Sequence, residues 1–263
     1  MSVIVLAAEE GGGFVAPGAK DFWQPLVGDG AFALTRPMVV MVLLTALVAV
    51  VALMATRRLS IVPGKGQMAF ESTYGLVRNS IARDMIGEKE FKPYLPLLFS
   101  AFLIILVNNL AGIVPFIQFP TMSRIGFPVA LALFVYVLYL AIGIRRRGFF
   151  GYIKSLVPPG LPTVVIPLMF FLELVTYLFT RPVTLALRLF GNMFAGHLLL
   201  LLMVLGGEYM LEHGGPVLQV LSIGPFLMFF ILTVFEILIE FLQAYIFTLL
   251  AAFYIADSLS DHH

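Results

Sequence analysis

TVVIPLMFFLELVTYLFTRPVTLALRLFGNMFAGHLLLLLMVLG, residues 163–206, is a run of apolar residues broken by only three charged side chains and one histidine. At 1.5 Å per residue it would make roughly 60 Å of helix, about twice the hydrocarbon thickness of a bilayer. A second stretch of the same kind, residues 217–256, follows it across the polar segment Gly207 to Gly215. Each stretch is either a pair of short helices or one long, strongly tilted helix. Neither has a convincing turn at its midpoint. Arg181-Pro182 comes closest, and a proline can kink a membrane helix without ending it. One long tilted helix is therefore the expectation for each.

Composition places these stretches in lipid. Sixty per cent of the 263 residues are apolar and only 12 % are charged, and mean hydropathy is +1.02. A soluble domain covers itself with roughly 25–35 % Lys, Arg, Glu and Asp. This chain cannot, so the fold class expected is an all-α integral membrane protein. A net charge of +1 offers no basic stripe for nucleic acid. Without cysteine there are no disulfides and no thiolate metal sites. Val5-Leu6-Ala7-Ala8 faintly resembles a cleavage site, but no basic segment precedes it, and signal-peptide removal is not expected.

Working outward, residues 1–36 read as a polar, flexible tail. Residues 37–56 form a first crossing, closed by Arg57-Arg58. In residues 67–86 the apolar side chains Phe70, Tyr74, Val77, Ile81 and Met85 recur at helical steps, with Glu71, Arg78, Arg83 and Asp84 on the other faces. That pattern predicts an amphipathic helix lying in the interface. Residues 93–117 and 125–144 give second and third crossings, the latter stopped by Arg145-Arg146-Arg147, and residues 148–162 read as a surface turn. With 163–206 and 217–256 the chain makes about five crossings, leaving 257–263 as a C-terminal tail. Arg57, Arg58, Lys65, Arg78, Arg83, Lys89, Lys92, Arg145, Arg146, Arg147 and Lys154 then share one side, against Lys20, Arg36 and Arg124 on the other. The positive-inside rule puts the N-terminus outside and the C-terminus in the cytoplasm.

The ionisable residues inside the spans carry the chemistry. They are Glu173, Arg181, Arg188, Asn192 and His197 in the fourth span, Glu236, Glu240 and Gln243 in the fifth, and Asn108-Asn109 in the second. An arginine at mid-helix costs at least about 2.5–3.5 kcal/mol, so such groups face protein or a wet cavity and mark ion pathways. Glu173, Tyr177, Arg181, Arg188 and Asn192 share a broad helical stripe, and Glu236, Glu240 and Gln243 lie at i, i+4 and i+7. The two stripes are expected to face each other or a common aqueous space. His197, about half a turn out of phase with Arg188, and the two glutamates can relay protons. Arg188 cannot, because guanidinium does not deprotonate. No carboxylate stands at i±4 from it, since those positions are Thr184 and Asn192, so its partner comes from elsewhere. Gly191, Ala195 and Gly196 let another helix approach closely. Simpler roles are expected for four groups. Arg181 extends toward the interface, Asn108-Asn109 hydrogen-bond between helices, Glu240 pairs within the bundle, and Glu208, Glu212 and His213 are solvated loop residues.

Leu187-Arg188-Leu189-Phe190-Gly191-Asn192-Met193 with Ala195-Gly196-His197 resembles the signature of subunit a of the F-type ATP synthase, in its bacterial form. Gln243 to Leu250 is similar to that family's last helix, and Asn109-Leu110-Ala111-Gly112-Ile113-Val114-Pro115 to its second crossing. The resemblance covers roughly residues 35–258. It implies a stator subunit with no catalytic chemistry of its own and no cofactor, in the bacterial cell membrane. Its implied partners are the c-ring rotor subunits, peripheral-stalk b-type subunits and the rest of the complex. By the same resemblance Arg188 is the essential charge facing each rotor carboxylate, with Asn192 and Gln243 beside it. His197 and Glu236, with Glu240 near them, line the channel open to the outside, in the arrangement mitochondrial members carry. Glu173 lines the cytoplasmic channel, one residue further from the arginine than the commonest family spacing, and Gly112 stands where some members carry an acid. Two other readings fare worse. A self-contained proton-coupled secondary transporter would have inverted repeats with broken helices, and an intramembrane hydrolase would carry HExxH or GxSxG. The sequence has none of these.

Overall fold

The computed structural model describes residues 14, 16–18, 25–27, 34–57, 64–114, 121–156, 162 and 164–260. Most of the 1–36 segment, Arg58, residues 115–117, Pro158-Pro159-Gly160, Thr163 and 261–263 lie outside them. The described part of the first segment holds a small antiparallel ladder, β1 (Pro25–Val27) with β2 (Leu34–Thr35). Arg124 secures its end by donating to Thr35 Oγ1 at 2.8 Å. Everything else of regular structure is helical.

Four helical rods are long and apolar enough to cross a membrane. The first, α1 (Arg36–Arg57), carries a proline in its first turn and a basic residue in its last, both suited to helix ends. Its most apolar stretch is not buried at all, and Val42 and Met54 are 68 % and 67 % exposed. In water such a surface would aggregate; in lipid it is solvated.

The second helix, α2, starts at Lys65–Gly75, widens into a π-helical stretch at Leu76–Arg83 and closes at Asp84–Ile86. It is not among the crossing rods. Val77, Ile81 and Ala82 are buried, and the rings of Phe70 and Tyr74 meet Phe99 edge-on at 5.3 and 5.2 Å. The wide turns rotate the apolar stripe, so Ile86 packs inward while Met85, the expected inward residue, is exposed.

Next, α3 (Leu95–Leu110) is only 16 residues, about 24 Å. It stops where Gly112 and Val114 turn back to donate to the Asn109 and Leu110 carbonyls. It can be shorter than the hydrocarbon because α1, α2 and the last helix flank it, and Leu98, Phe102 and Ile105 are fully buried.

In α4 (Gly126–Ser155) the helix continues through Arg145-Arg146-Arg147, where the sequence reading stops it, and bends at Gly148, whose φ of 72° suits glycine. Arginine is a good helix former and has no reason to end a helix that has left the apolar layer. Residues beyond the bend fold back, seating the Tyr152 ring against Gly143. Arg146 makes a two-pronged pair with Glu90, 3.0 Å on each prong.

The long apolar stretches are continuous rods. Helix α5 (Ile166–Val175) passes through π turns at Thr176–Thr180 into α6 (Arg181–His213), 48 residues or roughly 72 Å in all. The segment expected to be a polar loop, Gly207 onward, is helical to His213. Its Tyr, Met, Leu and Glu residues sustain a helix, and Gly214 ends it. Helix α7 (Pro216–Leu221) passes through Ser222, which keeps helical φ and ψ, into α8 (Ile223–Leu259), 44 residues in all, although Pro225 has no N–H to donate to the preceding turn. Rods this long must tilt strongly to stay within the membrane. Helix α8 packs along α6, α3 and α4.

The turns before Pro182 have a specific cause. The Arg181 N–H donates to the Thr176 carbonyl, five residues back. In the same pattern residue 182 would donate to Tyr177, but proline has no N–H. The stranded Tyr177 carbonyl instead accepts from the Tyr139 hydroxyl of α4 at 3.0 Å. Tyr139 is 1 % exposed, so no water can replace it. Tyr139→Phe, which keeps the ring and removes the donor, should destabilise the protein by about 1–3 kcal/mol. Thermal unfolding in detergent, compared with the parent protein, checks this.

Candidate functional site

The buried face of α8 is a single stripe: Glu236, Glu240, Gln243, Phe247, Ala251, Tyr254 and Ser258. Its steps of three and four are what a helix packed on one side requires. The half nearer the start of the helix is polar. Facing it, α6 buries Leu185, Leu189, Met193, His197 and Leu200 in the same rhythm. Apolar residues thus hold the two helices together, and polar ones sit where the stripes meet.

Three groups come together there. His197, Glu236 and Glu240 are 7 %, 5 % and 2 % exposed, and each offers a donor atom within 4.8 Å of the others. The imidazole Nδ1 lies 3.1 Å from the Met193 carbonyl and 3.9 Å from Glu236 Oε1. Nδ1 carries the hydrogen if it donates to that carbonyl, which leaves Nε2 as the acceptor side. Nε2, Glu236 Oε1 and both Glu240 oxygens have no aligned protein partner. Buried oxygens of this kind stay unsatisfied until a proton or a water reaches them. One nitrogen and two carboxylates would also suit a zinc-like ion. Glu240, expected to pair within the bundle, makes no such pair.

Two glycines make room for this cluster. A side-chain carbon on Gly196 would overlap the Glu236 carboxylate, and one on Gly112 would overlap the His197 imidazole. Gly112 closes one wall of a cavity of about 170 Å³, lined also by Ile113, His197, Leu200, Val204, Phe229 and Thr233. This is space for several waters. It runs from His197 toward the end of the bundle where α6 finishes and α8 begins.

Deeper along the seam, Asn192 donates to Gln243 Oε1 at 2.6 Å. One turn from Asn192 stands Arg188, half-buried on the flank of α6. It has no hydrogen bond or ion pair with any described residue. Glu173 is half-buried on α5, beyond the π turns, and its side chain has no hydrogen bond or ion pair with any described residue. Of the residues singled out from sequence, the structure thus joins His197 to Glu236 and Glu240, and Asn192 to Gln243. It leaves Arg188 and Glu173 apart.

Arg181 behaves differently from the expectation that it extends toward the interface. Its Nη1 donates to Asp257 Oδ2 at 2.8 Å. Its guanidinium lies 3.6 Å from the Tyr177 ring centre and 4.9 Å from that of Tyr254. The Tyr177 hydroxyl donates to the same carboxylate oxygen. Asp257, which the sequence reading places in a terminal tail, belongs to α8 and lies two heptads beyond Gln243. Asn108 and Asn109 also differ. Both are buried, but the Asn108 amide donates to its own helix at Ile104, and neither Oδ1 has a partner. Glu212 and His213 are exposed as expected, though on a helix.

The model of the family described as ATP synthase A chain matches residues 38–256. Similar curated proteins carry the name ATP synthase subunit a. One from Nocardioides sp. is 43 % identical over 98 % of this chain and 98 % of its own length. One from Pseudarthrobacter chlorophenolicus is 39 % identical over the whole of both, and one from Streptomyces lividans 38 % identical over 97 % and 91 %.

Packing around the cluster makes a test. Gly191, unlike Gly196, has open space where a side chain would go. Gly196→Ala should destabilise by about 1–3 kcal/mol through overpacking against Glu236. Gly191→Ala should instead be neutral or stabilising by up to roughly 1 kcal/mol, as expected for glycine replaced within a helix. Unfolding midpoints of the two variants in detergent, measured side by side, separate these outcomes.

Proposed function

Because the chain belongs to the ATP synthase A chain family, we propose that it is the proton-translocating stator subunit of a bacterial membrane ATP synthase, working through two offset half-channels. In this reading protons enter from outside along the cavity beside Gly112 and pass His197, Glu236 and Glu240. They then neutralise a carboxylate on a c-type rotor subunit, which can move into lipid once uncharged. After most of a turn the carboxylate reaches a second path near Glu173 and releases its proton to the cytoplasm. Asn192 and Gln243, bonded to each other, form the polar floor between the paths.

The observation that carries this reading is Arg188, which has no hydrogen bond or ion pair among the described residues. A guanidinium is charged at any physiological pH, and leaving one in the membrane without a carboxylate is tolerable only if a partner arrives from another subunit. Each arriving carboxylate satisfies it in turn, and its fixed charge repels a proton that would cross directly between the half-channels. Nothing in this asks the chain for a reaction of its own.

The surrounding assembly follows the same logic. The long tilted rods α5–α6 and α8 offer a broad, gently inclined face for a curved ring of rotor helices. A peripheral stalk of b-type subunits would hold the chain against rotation. The end of the bundle bearing Arg57, α2, the Arg146–Glu90 pair and Asp257 carries most of the basic residues, which supports reading it as the cytoplasmic end, with the N-terminus outside.

Arg188→Ala should reduce proton-driven ATP synthesis in membrane vesicles to background while the complex still assembles. Vesicles of the variant that retain coupled synthesis would overturn the reading.

A further inference from the structure

Arg181 and Arg188 present a problem that the proposed function does not by itself resolve. They lie seven residues apart within the regular part of α6, beyond the π turns, and so share a flank about 10.5 Å apart. Both are permanently charged. Two bare guanidiniums on one flank would offer a mobile carboxylate two resting places, and the barrier between the half-channels would no longer be a single point.

The structure treats the two cations in opposite ways. Arg188 is left open. Arg181 is drawn toward α8, bonded at 2.8 Å to Asp257, and walled by the faces of Tyr177 and Tyr254. Its side chain and that of Asp257 are only 13 % and 16 % exposed. The Tyr177 hydroxyl holds the carboxylate from the other direction. Buried ion pairs of this kind are poor sources of stability compared with apolar residues of equal volume. Their cost is better explained by what they specify.

We infer that Asp257 is a positioning residue that neutralises Arg181 within the subunit, so that Arg188 alone is offered to the rotor carboxylate. The inference rests on the stator reading above. Its chemistry is pairwise: an internal carboxylate at fixed distance outcompetes a visiting one for Arg181, while among the described residues no carboxylate pairs with Arg188.

The test uses the whole ATP synthase in membrane vesicles, with assembly followed by the amount of intact complex and function by proton-driven ATP synthesis. Asp257→Asn bares Arg181 and should slow synthesis about tenfold in assembled complexes, equivalent to about 1.4 kcal/mol of trapping. Removing both charges, Arg181→Gln with Asp257→Asn, should restore synthesis to within about twofold of the parent, since no second cation then remains. A clamp that mattered only for structure would lower the amount of intact Asp257→Asn complex without slowing synthesis per assembled complex, and a double variant whose assembled complexes stay as slow as those of Asp257→Asn overturns the inference. So does undiminished synthesis in Asp257→Asn. Should Asp257→Asn fail to assemble, the double variant decides alone: assembled and active supports the inference, whereas assembled and inactive, or not assembled, overturns it. Arg188→Ala, run in parallel, separates the two claims. If it retains synthesis the stator reading falls, and if it abolishes synthesis while Asp257→Asn has no effect, only the inference about Asp257 falls.

Discussion

Hydrocarbon cannot solvate a charge or an unpaired peptide group, and almost every feature of this chain answers to that fact. Helices are imposed because each backbone group must find its partner within its own segment. Where a proline removes a donor, as at Pro182, the stranded Tyr177 carbonyl is rescued by a hydroxyl from a different helix. Where a cation enters the bundle, as at Arg181, a carboxylate and two aromatic faces gather around it. Among the described residues, the groups without a hydrogen-bond partner include Nε2 of His197, the oxygens of Glu240, and Arg188. In the proposed function these groups wait for something that moves, a proton in one case and a charged partner in the other.

Much of this could be read before any coordinates. The two long apolar runs announced membrane rods, and their lack of midpoint turns favoured continuous helices over hairpins, as the 48-residue rod bears out. The polar residues Glu236, Glu240 and Gln243 were visible as a stripe because a helix repeats every 3.6 residues, and all three are buried. What sequence periodicity could not deliver was anything depending on departures from that repeat or on contacts between distant segments. The π turns in α2 exchanged Ile86 for Met85 as the inward residue. Helix α4 ran through three arginines because charge ends a membrane crossing without ending a helix.

The site was legible in its members and not in its joints. His197 meeting Glu236 across a glycine, or Gly112 seating an imidazole, are facts of close approach between helices tens of residues apart. Asp257 falls where the sequence shows only a C-terminal tail, whereas its helix remains packed to its last turn. Arg181 was misjudged in consequence: a long cation near an interface ordinarily reaches for water, and only knowledge of a nearby acid would have argued otherwise.

The wide turns at Thr176–Thr180 have a bearing on how such chains are compared with one another. A bond to the fifth residue back encloses one residue more than the usual bond to the fourth, so the helix takes in an additional amino acid while its later faces keep their bearing. Counted as a plain helix, the fifteen residues from Glu173 to Arg188 put the two side chains about 60° apart around the axis; with one residue taken in, the angle becomes about 40° on the opposite flank. The count of residues between them thus does not by itself fix the angle between the two side chains; the local slackening of the coil enters as well. Letters of sequence and degrees of rotation are different rulers here, and an alignment that forced a gap elsewhere would be measuring with the wrong one.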